Sequence, residues 1–302
     1  MRRMSYLLFG LALFGLTQLP AFGQAKNDDL KVTPPMRKIE PTNPPQLVPL
    51  PAPGPSYRHL DGRSLVIVAN GVSGSTTASD NLIELNGELN LGLRIQAVSW
   101  TRTDSLYGDL IDHEAQMNAA MKIACLTQAI RRDCPHSRIF FVGSSAGARV
   151  VLTAAEMSPA KSIDRIILLS PAVSSTHDLT AALRASRCGI DNFWASEDNV
   201  LARAAEYLSV QEKTPVYMAG RAGFRLPCPT PEYKAAYCNV RQYRWHEELC
   251  GNGGHHCWLI EHNMKKCVLP LFFMSCPVEM PIFAPPPLPA IKNFPPVPSP
   301  TK

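Results

Sequence analysis

The stretch Arg138-Ile-Phe-Phe-Val-Gly-Ser-Ser-Ala-Gly-Ala-Arg-Val-Val-Leu-Thr-Ala-Ala-Glu156 decides the fold. An apolar run with β character breaks at Gly143-x-Ser145-x-Gly147 and continues as a helix of small residues. This is the pattern of a nucleophile elbow. A serine hydroxyl is a poor nucleophile at neutral pH, so it is lifted clear of a sheet on a sharp strand-to-helix turn, where a histidine can take its proton. Small residues on both flanks relieve the crowding of such a turn. The helix N-terminus beneath Ser145 leaves the Ala146 N–H free to meet a developing oxyanion. GxSxG also occurs by chance, and a glycine-rich turn without chemistry is the alternative; the strand before it and the helix after it weigh against that.

Outward from this turn the chain alternates. Residues 64–69 and 93–100 read as strands, 115–132 as a helix with Met117, Met121, Ala124, Cys125, Gln128 and Ala129 at helical spacing, and 138–142 as the strand entering the turn. Helix 148–157, strand 163–169, helix 178–187, strand 191–195, helix 201–207 and strand 240–246 follow. Such alternation predicts an α/β fold, a mainly parallel sheet with helices on both faces, whose reacting groups gather at the carboxyl ends of the strands.

Those ends supply partners for Ser145. Strand 191–195 runs into Ser196-Glu-Asp-Asn-Val200, which places Asp198 on an exit loop before a helix. Glu197 and Asp191 are its rivals, and Asp191 falls at the start of the strand, away from the carboxyl end. The last strand leads into Gly251-Asn-Gly-Gly-His255-His256, whose glycines let the backbone bring an imidazole close to the serine. His255 and His256 compete for that role, while His246 reads as a strand residue with a satisfied hydrogen bond.

With these residues in the order Ser, Asp, His, the chain resembles the α/β-hydrolase superfamily over about residues 60–275, and within it secreted serine hydrolases of the lipase and esterase kind. The resemblance implies a triad of Ser145, His255 and Asp198, with His255 preferred over His256 because it directly follows Gly254. Val68-Ala-Asn-Gly71-Val72 is similar to the family's His-Gly oxyanion loop, which implies a second donor on Val72 beside Ala146. Asn70 stands where the family has histidine. By the same analogy Trp100 and the residues after it lie over the pocket. What is implied is hydrolysis of a small-molecule or lipid ester through an acyl-enzyme, with no metal or organic cofactor. The alternative is a non-catalytic binding or scaffold module on the same fold.

The N-terminus bears on location. Met1-Arg2-Arg3, the short apolar stretch from Tyr6 to Leu19 and Ala21-Phe22-Gly23 read as a signal peptide cleaved after Gly23, and a retained membrane anchor is the alternative. This predicts a secreted or periplasmic protein with no stable membrane span. Removing residues 1–23 lowers the formal charge from +5 to +3, and the basic residues are scattered, which predicts no nucleic-acid partner. Proline-rich residues 24–59 and 281–302 read as an arm and a tail around a domain at 60–280. Nine cysteines in an exported chain imply oxidation, and six of them lie between 228 and 276. That clustering predicts disulfides stapling the histidine-bearing segment. A zinc site from Cys250, His255, His256, Cys257 and His262 is the competing reading, weakened by the lack of paired C-x2-C halves.

Overall fold

The computed structural model describes residues 57, 60, 62–103, 105–226 and 230–276. The expected signal peptide, the arm apart from Tyr57, and the tail lie outside the described residues. Six strands form one parallel sheet: β1 (Ser64–Ala69), β2 (Arg94–Val98), β3 (Arg138–Ser144), β4 (Arg165–Leu169), β5 (Ile190–Trp194) and β6 (Val240–Arg244), in the order β2-β1-β3-β4-β5-β6. The strands alternate with helices α1 (Thr77–Glu88), α2 (Leu106–Ile111), α3 (His113–Asp133), α4 (Gly147–Glu156), α5 (Thr180–Ala185), α6 (Asn199–Glu212), α7 (Ala219–Ala222) and α8 (Pro231–Tyr237). This is the expected α/β architecture, a parallel sheet with helices on both faces.

The central strands β1, β3 and β4 carry continuous apolar runs, Leu65–Ala69, Ile139–Val142 and Ile166–Leu169, because both of their faces are covered. Leu65, Ile67, Ala69, Ile139, Phe141, Ile166 and Leu168 pack on one side with α3 to α7. Val66, Val68, Phe140, Val142, Ile167 and Leu169 pack on the other, with α1 and the helical turns between Cys257 and Phe272. The period-2 geometry of a strand sends neighbouring residues to opposite faces, so an unbroken apolar run serves two cores. Edge strand β2 lies mostly open to solvent instead.

Two details depart from the sequence reading, and a third concerns a rival acid. The buried face of α3 is Ala115, Gln116, Ala119, Ala120, Ile123, Ala124, Thr127 and Ile130, whereas Met117 and Met121 are exposed. Its alanines allow close approach to the small residues of α4, so residue size decided the face rather than hydrophobicity. Strand β6 ends at Arg244, and His246 is an exposed residue 3.9 Å from the Glu248 carboxylate. Asp191 is fully buried in β5, where it pairs with Arg165 (2.9 Å) and Arg241 (2.7 Å) and accepts from the Tyr243 hydroxyl (3.0 Å). It belongs to an ion network within the sheet.

The chain leaves β1 toward β2 and returns on the opposite side as β3. The crevice at the carboxyl ends of β1 and β3 is therefore the topological switch point, the place where open α/β sheets hold ligands.

Candidate active site

Ser145 stands at that crevice with φ +52°, a left-handed conformation that a non-glycine residue adopts only when its surroundings enforce it. Its N–H donates to the Leu169 carbonyl (2.9 Å), and its own carbonyl accepts from Ala148 (3.1 Å) and Ala172 (3.0 Å). The flanking glycines are required by packing. A β-carbon on Gly143 would stand 2.5 Å from the Ala148 α-carbon, and Gly147 presses on the backbone at the end of β1.

Asp198 follows β5 and caps α6. One carboxylate oxygen, Oδ1, accepts from the Leu201 N–H at 2.9 Å, which fixes the carboxylate plane and aims the other oxygen away from the helix. That second oxygen meets His255 Nδ1 at 2.7 Å, and His255 Nε2 lies 2.9 Å from Ser145 Oγ. A carboxylate only accepts, so the proton on Nδ1 points to Asp198 and Nε2 is left as the acceptor facing the serine. Asp198 is wholly buried, and the His255 ring is nearly so. The structure thus brings Ser145, His255 and Asp198 into one hydrogen-bonded chain able to move a proton from the hydroxyl to the ring.

The alternatives fall elsewhere. The His256 ring packs edge-on against His255 at 5.1 Å between centroids, and among the described residues it bonds to neither Ser145 nor Asp198. Desolvation, and then the neighbouring His255, lower its pKa. Glu197 is exposed and accepts from Ser196. The five residues of the zinc reading do not converge: among the described residues no group of three or more His, Cys, Asp or Glu side chains could hold a metal ion.

The loop after β1 passes directly over the serine, where a β-carbon on Gly71 would stand 3.4 Å from the Ser145 β-carbon. Val72 follows, half-buried, and Ala146 begins the helix behind the serine. Asn70 is buried and turned toward α1. Its side chain donates to Ser79 Oγ and accepts from the Ser79 N–H, both at 3.0 Å, so the residue standing in the place of a histidine anchors the loop to a helix start. Trp100 corrects an expectation: it is buried, and its indole N–H donates to the Asn70 carbonyl at 2.9 Å. It supports the loop from within the core.

The histidine loop is also held differently from the expectation. Cys188 and Cys276 form a disulfide, while Cys238, Cys250, Cys257 and Cys267 are free thiols; Cys228 lies outside the described residues. The predicted staple within residues 228–276 is therefore replaced by a bond tying the C-terminal segment to the residues just before β5. The loop hangs instead on Asn263, fully buried, whose amide donates to the carbonyls of Cys250 and Cys257 (both 2.8 Å) and accepts from the Cys250 N–H (3.0 Å). Asn263 and a second buried residue, Asp109, escaped the sequence reading. Nothing in the local pattern Glu261-His-Asn-Met-Lys-Lys266 sets Asn263 apart from its charged neighbours.

No protein-family model matches the chain, and neither does any curated protein. Among solved structures it is similar to a poly(3-hydroxybutyrate) depolymerase from Bordetella parapertussis (14% identity, TM-score 0.45, covering 71% of this chain and 80% of that one). It is also similar to acyl-protein thioesterase 2 from Zea mays (16% identity, TM-score 0.39, covering 65% of this chain and 87% of that one). An uncharacterized protein from Bacillus cereus (14% identity, TM-score 0.38) is matched over 65% of this chain but only 54% of its own length.

Proposed function

We propose that this chain is a serine hydrolase that cleaves carboxylic esters through an acyl-enzyme. The observation that carries the reading is the unbroken path from Asp198 to His255 to Ser145, with contacts of 2.7 and 2.9 Å. In the proposed first step Ser145 Oγ attacks the ester carbonyl carbon while His255 Nε2 takes its proton. Asp198 holds the ring in the required tautomer and stabilises the imidazolium. The carbonyl electrons move onto oxygen, where the N–H groups of Val72 and Ala146 receive the charge, each worth on the order of 3 kcal/mol. Collapse expels the alcohol, which takes the proton from His255. Water then attacks the acyl carbon, giving a proton to the same nitrogen, and the carboxylic acid leaves as Ser145 regains its hydrogen.

The substrate class follows as a small-molecule or lipid ester. We also propose export, supported by the Arg2-Arg3 start and apolar stretch of the N-terminus and by the Cys188–Cys276 disulfide, a bond that persists in oxidising compartments. The test is hydrolysis of p-nitrophenyl esters of rising chain length by purified protein and by Ser145→Ala. The reading expects wild-type turnover and a variant that is folded but inactive. Variant activity within a few-fold of wild type would sink it.

A further inference from the structure

Asp109 is fully buried in α2, and among the described residues no lysine or arginine pairs with it. A buried carboxylate is costly unless hydrogen bonds replace its water, and here four donors do so. Oδ1 accepts from the N–H groups of Arg102 (3.3 Å) and Thr103 (3.1 Å) and from the Thr103 hydroxyl (2.9 Å), all on the loop after β2. Oδ2 accepts from the Ser73 N–H at 2.8 Å, on the loop after β1. One side chain therefore ties together two loops at the carboxyl edge of the sheet.

The peptide it grips is the one joining Val72 to Ser73. The carbonyl of that peptide accepts from the Ser75 N–H at 3.2 Å, so both ends of its plane are fixed. Ser73 itself has φ +57°, a strained conformation for serine that persists only when over-determined by its contacts. On the other side of Val72, Gly71 lies beside Ser145, where a β-carbon on it would stand 3.4 Å from the serine's. With Gly71 beside the serine on one side and the Val72–Ser73 peptide latched to Asp109 on the other, Val72 is held from both of its neighbours.

We infer that Asp109 is a positioning residue for the oxyanion site, holding the Val72 N–H toward the carbonyl oxygen of the ester. The inference rests on the serine-hydrolase reading above and deepens it. A donor held in place before reaction stabilises charge that exists only in the transition state, so its loss lowers kcat and leaves substrate binding nearly unchanged.

The test compares wild type with Asp109→Asn, which replaces one acceptor oxygen by a donor facing donors, and with Thr103→Val, which removes one donor from Oδ1 at nearly constant volume. Turnover of p-nitrophenyl butyrate and inhibition by a trifluoromethyl ketone, which forms a tetrahedral adduct, are read side by side. The expected result for Asp109→Asn is a kcat lower by about 10- to 100-fold, a KM within about twofold of wild type, and ketone affinity weakened by the same factor as kcat. Thr103→Val shows a smaller shift of the same kind, and it carries the test alone if Asp109→Asn does not fold. Unchanged kcat in the folded variants, or a fall in kcat with ketone affinity intact, overturns the inference while leaving a labelled, active wild type in place. A wild type that neither turns over the ester nor reacts with a fluorophosphonate overturns the serine-hydrolase reading, and this inference with it.

Discussion

Gly147 lies so close to the end of β1 that a β-carbon on it would stand 2.1 Å from the Ala69 carbonyl oxygen and 2.3 Å from that of Asn70. The contact is backbone against backbone, so no side-chain rotation relieves it. It brings the first turn of α4 down beside the loop that carries Val72, and sets the spacing between the serine and that loop. Gly147→Ala is expected to destabilise the fold by about 3 kcal/mol or more, beyond ordinary overpacking. Urea denaturation followed by circular dichroism checks it, and a loss under about 1 kcal/mol would show that the strand end yields.

Asp198 serves two partners through its two oxygens, the Leu201 N–H and the His255 ring. Asparagine caps helices as well as aspartate does, so Asp198→Asn should keep stability within about 1 kcal/mol of wild type. Its amide cannot hold the ring in the same tautomer, and kcat should fall about 10,000-fold. Steady-state kinetics beside a thermal melt separates the two effects. A variant that loses stability and activity in proportion would mean the cap matters more than the ring.

Asn263 and the Cys188–Cys276 disulfide should part company in function. Asn263→Ala strands two carbonyls and an N–H in the histidine loop, for an expected loss of about 3 kcal/mol and a more than tenfold fall in kcat as His255 loosens. The disulfide spans 88 residues and closes a loop worth about 4.6 kcal/mol in the chain-entropy account. It does not touch the triad, so reduction should lower the urea midpoint and leave the native esterase rate unchanged. A rate that falls on reduction before unfolding begins would contradict this division.

The fold was legible because its signals are local. Residues 138–156 show a strand, a turn and a helix in a row, and the order Ser145, Asp198, His255 follows from which strand ends come next along the chain. The preference for His255 over His256 came instead from the resemblance, through the Gly254-His255 pair. The parts that were not legible depend on partners far away. Met117 and Met121 look like core by hydrophobicity, yet the alanines of α3 are what α4 can approach. The pairing of Cys188 with Cys276 joins residues that no spacing rule connects. Asp109 becomes meaningful only when Ser73, 36 residues earlier, is brought to it.

Alkaline pH should weaken the fold through its buried tyrosines. Burial first, and then the Asp191 carboxylate, push the Tyr243 pKa up to about 12. Burial raises Tyr237 to about 12 as well. The unfolded chain releases these protons near pH 10, earlier than the folded one, so the stability they contribute is fully present below about pH 10 and is lost as pH rises toward 12. Melting temperature measured from pH 8 to 11.5 should fall over the upper part of that range, and less steeply in Tyr243→Phe. Identical slopes for the two proteins would show that Tyr243 ionises equally in both states.

The central claim is that Ser145 is made nucleophilic by His255. It is tested most directly by treating folded protein with a fluorophosphonate and mapping the adduct by mass spectrometry, for wild type and for His255→Ala. The account predicts one adduct per wild-type chain, on Ser145, and labelling slowed by at least about 1,000-fold in the variant. A folded wild type that takes no label, takes it on another residue, or labels as fast without His255 would contradict it.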